Sequence, residues 1–219
     1  ALNKQGPPRV KWNAGLPPEA APDMALTDPR KAYVVDLRDE DAYAAGHIPN
    51  SVNIALRGRL ETWMGIMVPW GSRVVLVGDK EELKEGLSRL HRIGYAPEII
   101  TLERWRNAGR SVAVSDPISP SALHELMQKG DAPLIVDVRL PSEWMALKIG
   151  TVLNLPLNHL SELSGKLDPR APVVVVCNSA YRSSMAVGIL ERNGFKTVRN
   201  LKGGSRAWID AGLPVYEAV

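Results

Sequence analysis

The chain contains one stretch of sequence twice, and this duplication constrains the fold more than any other feature. The segment DVRLPSEWMALKIGTVLNLPL, which begins at Asp137, aligns without a gap on DLRDEDAYAAGHIPNSVNIAL, which begins at Asp36, at an offset of 101 residues. Each copy also ends on a tryptophan that is followed four positions later by a glycine, at Trp105 and at Trp208. Solenoid repeats have periods of about 20 to 50 residues. The longer period predicts two copies of one domain.

The duplication divides the chain into three predicted segments. Residues 1–29 hold six prolines and show little periodicity, which predicts an extended arm or linker. Residues 30–115 form the first predicted domain and residues 116–219 the second. In the second domain, Ser119 followed by Pro120 is typical of a helix start.

Within each copy, short apolar runs alternate with segments of helical periodicity. The runs at residues 74–77 (VVLV) and 173–176 (VVVV) are apolar without alternation, as is typical of strands that are buried on both faces. This order predicts an α/β fold in which each domain is an open, mainly parallel sheet flanked by helices. In such sheets, ligands bind beyond the carboxyl ends of the strands.

One of these carboxyl ends carries Cys177, the only cysteine in the chain. Arg182 follows five positions later, and a helix is predicted from about Ser183 to Gly194. The N-terminus of a helix attracts anions because its first N–H groups and its dipole point at them. A helix start and a nearby guanidinium favour the reactive thiolate form of a cysteine. The pattern predicts a nucleophilic cysteine, against the alternative of a small buried core residue.

The first copy lacks these groups. Gly78 stands at the position of Cys177 and is followed by DKEELKEG, which places acidic side chains where an anion would have to bind. We therefore predict that the first domain is catalytically inactive.

Composition excludes several other classes of protein. The chain is 45% hydrophobic and 23% charged with a net charge of +3, which is ordinary for a globular protein and does not suggest nucleic-acid binding. No apolar run reaches the length of a membrane span. A single cysteine fits a reducing, cytoplasmic compartment. The histidines lack the spacing of metal ligands, so we expect no metal and no cofactor in this chain; they are His47, His91, His124 and His159.

These motifs together resemble a tandem rhodanese, a sulfurtransferase with an inactive first repeat and an active second repeat. The resemblance covers about residues 30–217 and rests on DLR with GHIPNSVNI, DVR, CNSAYRSS and LKGGSRAW. In this fold, four residues between the cysteine and the arginine are the mark of sulfur transfer, whereas the related phosphatases carry five. This chain has four.

The resemblance implies roles for the residues of the loop. Cys177 would accept a sulfane sulfur as a persulfide, and Arg182 would hold the anionic groups. The substrate-binding positions that the resemblance implies, chiefly through backbone N–H groups, are Asn178, Ser179, Ala180, Tyr181 and Ser183. The donor would be thiosulfate or a low-molecular-weight persulfide and the acceptor cyanide or a thiol, in sulfide or persulfide metabolism. Neither choice follows from the sequence.

Some residues depart from the family pattern or allow other interpretations. Leu147, Lys148 and Ile149 replace the usual GHI in the second repeat, and we expect the fold to survive this change. We expect Arg139 to pair with Glu143, one turn further on. The alternatives to sulfur transfer are a cysteine phosphatase or arsenate reductase on the same fold, and a noncatalytic regulatory module.

The arm carries a second resemblance. The heptapeptide LNKQGPP, at residues 2–8, is similar to the junction that follows the metallo-β-lactamase-fold domain in fusions with tandem rhodanese repeats. Some of these fusions are persulfide dioxygenases. The likeness implies a fused partner domain upstream, with its own metal, that this chain does not contain. We expect no nucleic-acid or membrane partner.

Overall fold

The computed structural model describes residues 15–216. Its internal contacts divide the chain into two compact units. One unit comprises the residues up to Asp39 together with His47–Ala113, and the other comprises Glu40–Gly46 together with the residues from Val114 onward. The domain boundaries at residues 30 and 116 stay a prediction.

The first unit contains a parallel sheet of four strands in the order β2-β1-β3-β4. The strands are β1 Tyr33–Asp36, β2 Val52–Asn53, β3 Val74–Val77 and β4 Glu98–Ile100. The helices in the same stretch of the sequence are α1 Glu40–Ala45, α2 Leu60–Met67, α3 Lys80–His91 and α4 Leu102–Asn107. Every residue of β1 and β3 is buried, as the unbroken apolar runs predict.

The second unit repeats this sheet with the order β6-β5-β7-β8, again with parallel neighbours. The strands are β5 Leu134–Asp137, β6 Leu153–Asn154, β7 Val173–Val176 and β8 Val198–Asn200. The helices are α5 Pro120–Lys129, α6 Pro141–Ala146, α7 Leu160–Leu163, α8 Tyr181–Arg192 and α9 Gly204–Asp210. The predicted α/β fold with two mainly parallel sheets is confirmed.

The start of α5 follows the predicted pattern. The Ser119 side chain accepts a hydrogen bond from the N–H of Ala122, Pro120 occupies the first turn, and Gly130 ends the helix with a positive φ of 77°. These are local signals, and they fix the helix ends without help from the rest of the fold.

The arm over residues 1–29 stays a prediction, and its described part, residues 15–29, packs against the first unit. Ala20 and Leu26 are buried in the core of the first unit, and the Ala20 N–H donates to the carbonyl of Ile99. Leu26 belongs to a 3₁₀ turn, Met24–Thr27, which precedes the first strand. The prolines of this segment disfavour regular secondary structure, but they do not prevent it from burying apolar side chains. The heptapeptide at residues 2–8 lies outside the described residues.

The departure from the GHI pattern leaves one pair of backbone hydrogen bonds unchanged. His47 exchanges two N–H to carbonyl hydrogen bonds of 2.9 Å with Ala113, and Lys148 does the same with Tyr216 at 2.8 Å. The segment therefore keeps its place in the second unit, as expected. Within residues 15–216, the structure has no helix of the length and apolarity needed to cross a bilayer.

Candidate active site

Strand β7 carries Cys177 to the carboxyl edge of the second sheet. The strand lies between β5 and β8, and all four of its valines are buried. Cys177 follows directly and is 1% exposed. The carboxyl edge of a parallel sheet is where ligands bind in α/β folds. The cysteine thus lies at the middle of this edge, beneath the loop that leads to α8.

The hydroxyl of Ser183 contacts the sulfur of Cys177. Its Oγ lies 3.2 Å from Cys177 Sγ and also 3.2 Å from the carbonyl oxygen of Ala180. A hydroxyl has one proton and can donate it to only one of these acceptors at a time. Beside a thiol it can donate to Ala180, and beside a thiolate it can turn to the sulfur. The side-chain hydroxyl of Ser183 is thus within hydrogen-bond distance of the sulfur, in addition to the backbone role implied by the resemblance.

Helix α8 begins at Tyr181, two residues before the predicted start. Ala180 has a positive φ of 68°, which is rare for a residue with a side chain, and its carbonyl accepts the N–H of Ser184 and the Nδ2 of Asn200. The earliest N–H groups of any helix have no acceptor within the helix. In α8, the first backbone hydrogen bond within the helix is donated by the Ser184 N–H. The N–H groups of the residues before Ser184 are therefore directed out of the N-terminal end of the helix, toward the loop.

Helix α9 fixes the orientation of the loop. The N–H of Ser205 donates to the carbonyl of Cys177 at 2.7 Å, and the N–H of Arg206 donates to the carbonyl of Asn178 at 3.0 Å. The peptide bonds are trans, so each carbonyl is opposite the N–H of the next residue. The N–H groups of Asn178 and Ser179 are therefore directed away from α9. Consecutive N–H groups of this kind form a concavity that binds anions.

Gly204 makes this arrangement possible. Its φ is +63°, and a Cβ placed on it would lie 2.3 Å from the carbonyl oxygen of Cys177 and 2.6 Å from the carbonyl carbon of Asn178. Any side chain would push α9 away from the loop. The sequence shows Gly203 and Gly204 in the second copy only, but it does not connect them to the cysteine, which lies 27 positions earlier.

Arg182 is bound by Glu143. Its two terminal nitrogens donate to the two carboxylate oxygens of Glu143, each at 2.7 Å. These hydrogen bonds raise the pKa of Arg182 and lower the pKa of Glu143. The prediction that Arg139 pairs with Glu143 is wrong. Arg139 pairs with Asp137 two positions before it, at 2.7 Å, and both side chains are buried.

The structure brings the predicted site residues together on one loop. Cys177 and Ser183 are buried, Ala180, Tyr181 and Arg182 are partly exposed, and Asn178 and Ser179 are exposed. Their roles in catalysis and substrate binding stay predictions. Several neighbours of the loop were not among the predicted site residues, namely Glu143, Asn200, Gly204, Ser205 and Arg206.

The first unit has the same backbone position without these groups. Val77 pairs with Asp36 as Val176 pairs with Asp137, so Gly78 corresponds to Cys177. The Asp79 side chain accepts the N–H of Glu82 and the Glu82 side chain accepts the N–H of Asp79, both at 2.8 Å. This capping box satisfies the start of α3 with acidic groups of its own. An anion would meet two carboxylates there.

Comparison with known proteins identifies the family. The family model described as rhodanese-like domain matches the chain twice, at residues 20–104 and 119–211. These matches cover most of the chain, and the chain therefore belongs to the rhodanese-like domain family, a sulfurtransferase-like family. The first match begins at residue 20, as does the buried part of the first unit.

Individual relatives are similar over shorter regions. The chain is 36% identical over 100 residues to the uncharacterized protein slr1261 of Synechocystis, which is 46% of this chain and 55% of that protein. It is 32% identical over 98 residues to a sulfurtransferase of Allochromatium vinosum, which is 45% of this chain and 92% of that protein. The aligned region thus spans about half of the first of these relatives.

A solved structure of similar architecture is the thiosulfate sulfurtransferase from Pseudomonas aeruginosa. The likeness has 24% identity and a TM-score of 0.42, and covers 89% of this chain and 42% of that one. The polysulfide-sulfur transferase homodimer from Wolinella succinogenes has 31% identity and a TM-score of 0.39, with 47% of this chain and 79% of that chain covered. The family assignment rests on the family model.

Proposed function

We propose that the chain is a sulfurtransferase that carries a sulfane sulfur as a persulfide on Cys177. The observation that supports this most is the placement of one buried sulfur at the start of α8, with the Ser183 hydroxyl at 3.2 Å and backbone N–H groups on the same loop. Only the thiolate attacks, and donors that stabilise a thiolate also stabilise the sulfur anions that come and go in the reaction.

In the first half-reaction, the Cys177 thiolate attacks the outer sulfur of the donor. A new bond forms between Sγ and that sulfur, and the bond between the two sulfurs of the donor breaks. Its electron pair leaves with the inner sulfur, as sulfite from thiosulfate or as a thiolate from a low-molecular-weight persulfide. The transferred sulfur remains on Cys177, and no oxidant or reductant is needed.

In the second half-reaction, the acceptor attacks the transferred sulfur. A thiolate acceptor leaves as a persulfide and cyanide leaves as thiocyanate, and the electron pair of the broken sulfur–sulfur bond returns to Cys177 as its thiolate. The two half-reactions share one site, so we expect ping-pong kinetics.

The proposal includes the setting of the enzyme. A chain with a single cysteine suits a reducing, cytoplasmic compartment. Sulfide or persulfide metabolism would supply the donor, and a fused persulfide dioxygenase domain upstream of residue 1 would be a source of persulfides. Neither a metal nor a cofactor enters the steps above.

The test is the intact mass of the protein after incubation with thiosulfate or with glutathione persulfide. We expect the wild type to gain the mass of one sulfur atom and to lose it when cyanide or glutathione is added. Cys177→Ser should gain nothing. Equal addition to both proteins, or no addition to the wild type, contradicts the proposal.

A phosphatase on the same fold predicts a different result. Aryl phosphate turnover that exceeds sulfur transfer, and that is lost in Cys177→Ser, would replace the proposal. The bidentate binding of Arg182 by Glu143 argues against this outcome, because a phosphate needs the guanidinium for its own oxygens.

A further inference from the structure

Three arginines near the cysteine loop each form an ion pair with a carboxylate. Glu143 binds Arg182 at two points, and Asp137 binds Arg139 in a buried pair. Arg206, whose N–H holds the loop, pairs with Asp210 on the surface. Backbone N–H groups and the dipole of α8, which is equivalent to roughly half an elementary charge, therefore contribute to the positive potential at the loop beside these paired arginines.

An electrostatic potential of this size favours a sulfur donor that carries little charge near its sulfane sulfur. An organic persulfide brings at most one negative charge to the reacting atoms. Thiosulfate brings two, on a small ion that must lie close to the loop. To pair with Arg182, it would have to displace the Glu143 carboxylate or bind beside it, and like charges at such distances repel each other strongly.

We propose that Glu143 is a specificity-determining residue that sets the donor class, favouring low-molecular-weight organic persulfides over small dianions such as thiosulfate. This inference rests on the proposed function. Glu143 reaches Arg182 from α6, which lies 39 positions earlier in the chain, and its Oε2 also accepts the N–H of Leu140. The two contacts hold the carboxylate in place beside the guanidinium.

The carboxylates of Glu143 and Glu82 differ in their position relative to the loop. Glu82 accepts a backbone N–H at the start of its own helix, so it occupies the place of an anion. Glu143 also accepts the backbone N–H at the start of its own helix, from Leu140, but this helix is α6 and not the helix of the cysteine loop; its carboxylate binds the Arg182 side chain as well. It therefore changes which anion binds without blocking the site. The hydrogen bonds from Arg182 lower the pKa of Glu143, so it stays ionised at neutral pH.

The experiment compares the full chain with Glu143→Gln, using persulfidation of Cys177 followed by quenched intact mass. Rates are measured over a range of thiosulfate and of glutathione persulfide concentrations to give kcat/KM for each donor. The matched control is Glu98→Gln, which breaks a bidentate pair with Arg73 of 2.7 and 2.9 Å in the first unit. Glu143→Asp, which keeps the charge, tests for rescue.

In the wild type, we expect kcat/KM to be higher for glutathione persulfide than for thiosulfate. Glu143→Gln should raise the ratio of the thiosulfate value to the persulfide value by about tenfold, because removing one like charge near a dianion relieves repulsion. Glu98→Gln should leave the ratio unchanged, and Glu143→Asp should keep it near the wild-type value.

Two results would overturn the inference while the proposed function stands. One is a ratio that stays constant or falls in Glu143→Gln while Cys177 still takes up sulfur. The other needs no variant: a wild type that prefers thiosulfate. If the wild type takes up sulfur from neither donor, the proposed function itself fails. A fall in both kcat/KM values by the same factor indicates a purely structural role for Glu143 and also overturns the inference.

Discussion

The starts of α3 and α8 occupy equivalent places in the two sheets and differ in what satisfies their N–H groups. In the first unit, Asp79 and Glu82 supply carboxylates to the backbone, and the strand before them ends on Gly78. In the second, the strand ends on Cys177, and Ala180 offers no side-chain oxygen to cap the helix. The helix start is thus capped by acidic side chains in the first copy and has no side-chain cap from Ala180 in the second.

This difference indicates that an anion-binding site on this fold depends on the helix start as well as on the cysteine. A helix start favours an anion only while its N–H groups are not already used by the protein. In the first copy, the carboxylates of Asp79 and Glu82 bind two N–H groups at this end of α3. The predicted inactivity of the first copy would therefore have two causes, a missing nucleophile and a helix start that binds its own carboxylates.

The largest effect is expected from moving the nucleophile. In a Cys177→Ser background, Gly78→Cys should take up sulfur about a thousandfold more slowly than the wild type, because carboxylates replace the anion-stabilising donors. Intact mass after incubation with glutathione persulfide measures this rate. Rapid uptake at residue 78 would show that the capping box does not close the first copy.

The next effect concerns the contact between α9 and the loop. Gly204→Ala should reduce sulfur transfer by about a hundredfold, because its Cβ would meet the Cys177 carbonyl. Gly212→Ala is the control, since Gly212 has a similar φ of +67° and nothing within 4 Å of an added Cβ. It shares the backbone strain and should keep its rate. Equal losses in both variants would assign the effect to strain alone.

A smaller effect is expected at Ser183. Ser183→Ala removes the hydroxyl 3.2 Å from the sulfur and should slow persulfidation by about tenfold, since hydrogen bonds to charged groups contribute about 1.5–3 kcal/mol. Ser183→Thr should recover part of the rate. Ser119→Ala removes a helix cap far from the loop in sequence and should lower only the melting temperature. An unchanged rate in Ser183→Ala would exclude the hydroxyl from thiolate stabilisation.

The smallest effect is expected for the ion pair between Arg89 and Glu61, which we expect to stabilise the fold without affecting the candidate site. Hydrogen bonds from Arg89 lower the pKa of Glu61 to about 2. A carboxylate with a lowered folded-state pKa stabilises the fold above its unfolded pKa and loses this contribution as the pH falls toward the folded value. Glu61→Gln should lower the melting temperature by about 2 °C at pH 7. The difference from the wild type should shrink between pH 4.5 and pH 2.

Sulfur transfer should be unaffected by Glu61→Gln, in contrast to Glu143→Gln. Thermal unfolding at several pH values and the persulfidation rate check both parts. A temperature difference that grows on acidification would contradict the assigned pKa direction.

Local features of the sequence sufficed for much of the fold. Unbroken β-branched runs identified the central strands, and the Ser119–Pro120 and Gly130 signals fixed one helix. The Asp-x-Arg pattern also carries a local signal. In each of four occurrences, the arginine side chain bonds the aspartate two positions before it, at Asp28, Asp36, Asp137 and Asp168. Arg139 follows this rule, whereas helical spacing alone suggested Glu143.

The start of α8 and the buried part of residues 15–29 could not be placed from local signals. Ala180 has a positive φ although alanine disfavours it, and the Asn200 side chain holds its carbonyl from a strand 20 positions away. Ala20 is buried because β4 offers it a carbonyl partner at Ile99. Both depend on contacts between segments that are distant in the sequence.

The sequence by itself determined the duplication, the α/β class, the position of the cysteine at a strand end and the absence of its counterpart from the first copy. These follow from periodicity and spacing, which act over a few residues or between aligned copies. Only the tertiary structure decided that Glu143 binds Arg182, that Gly204 lets α9 hold the loop, and that Ser183 reaches the sulfur. Each of these contacts has a specific geometry. Such geometry between distant segments is set by tertiary packing and cannot be deduced from the sequence pattern.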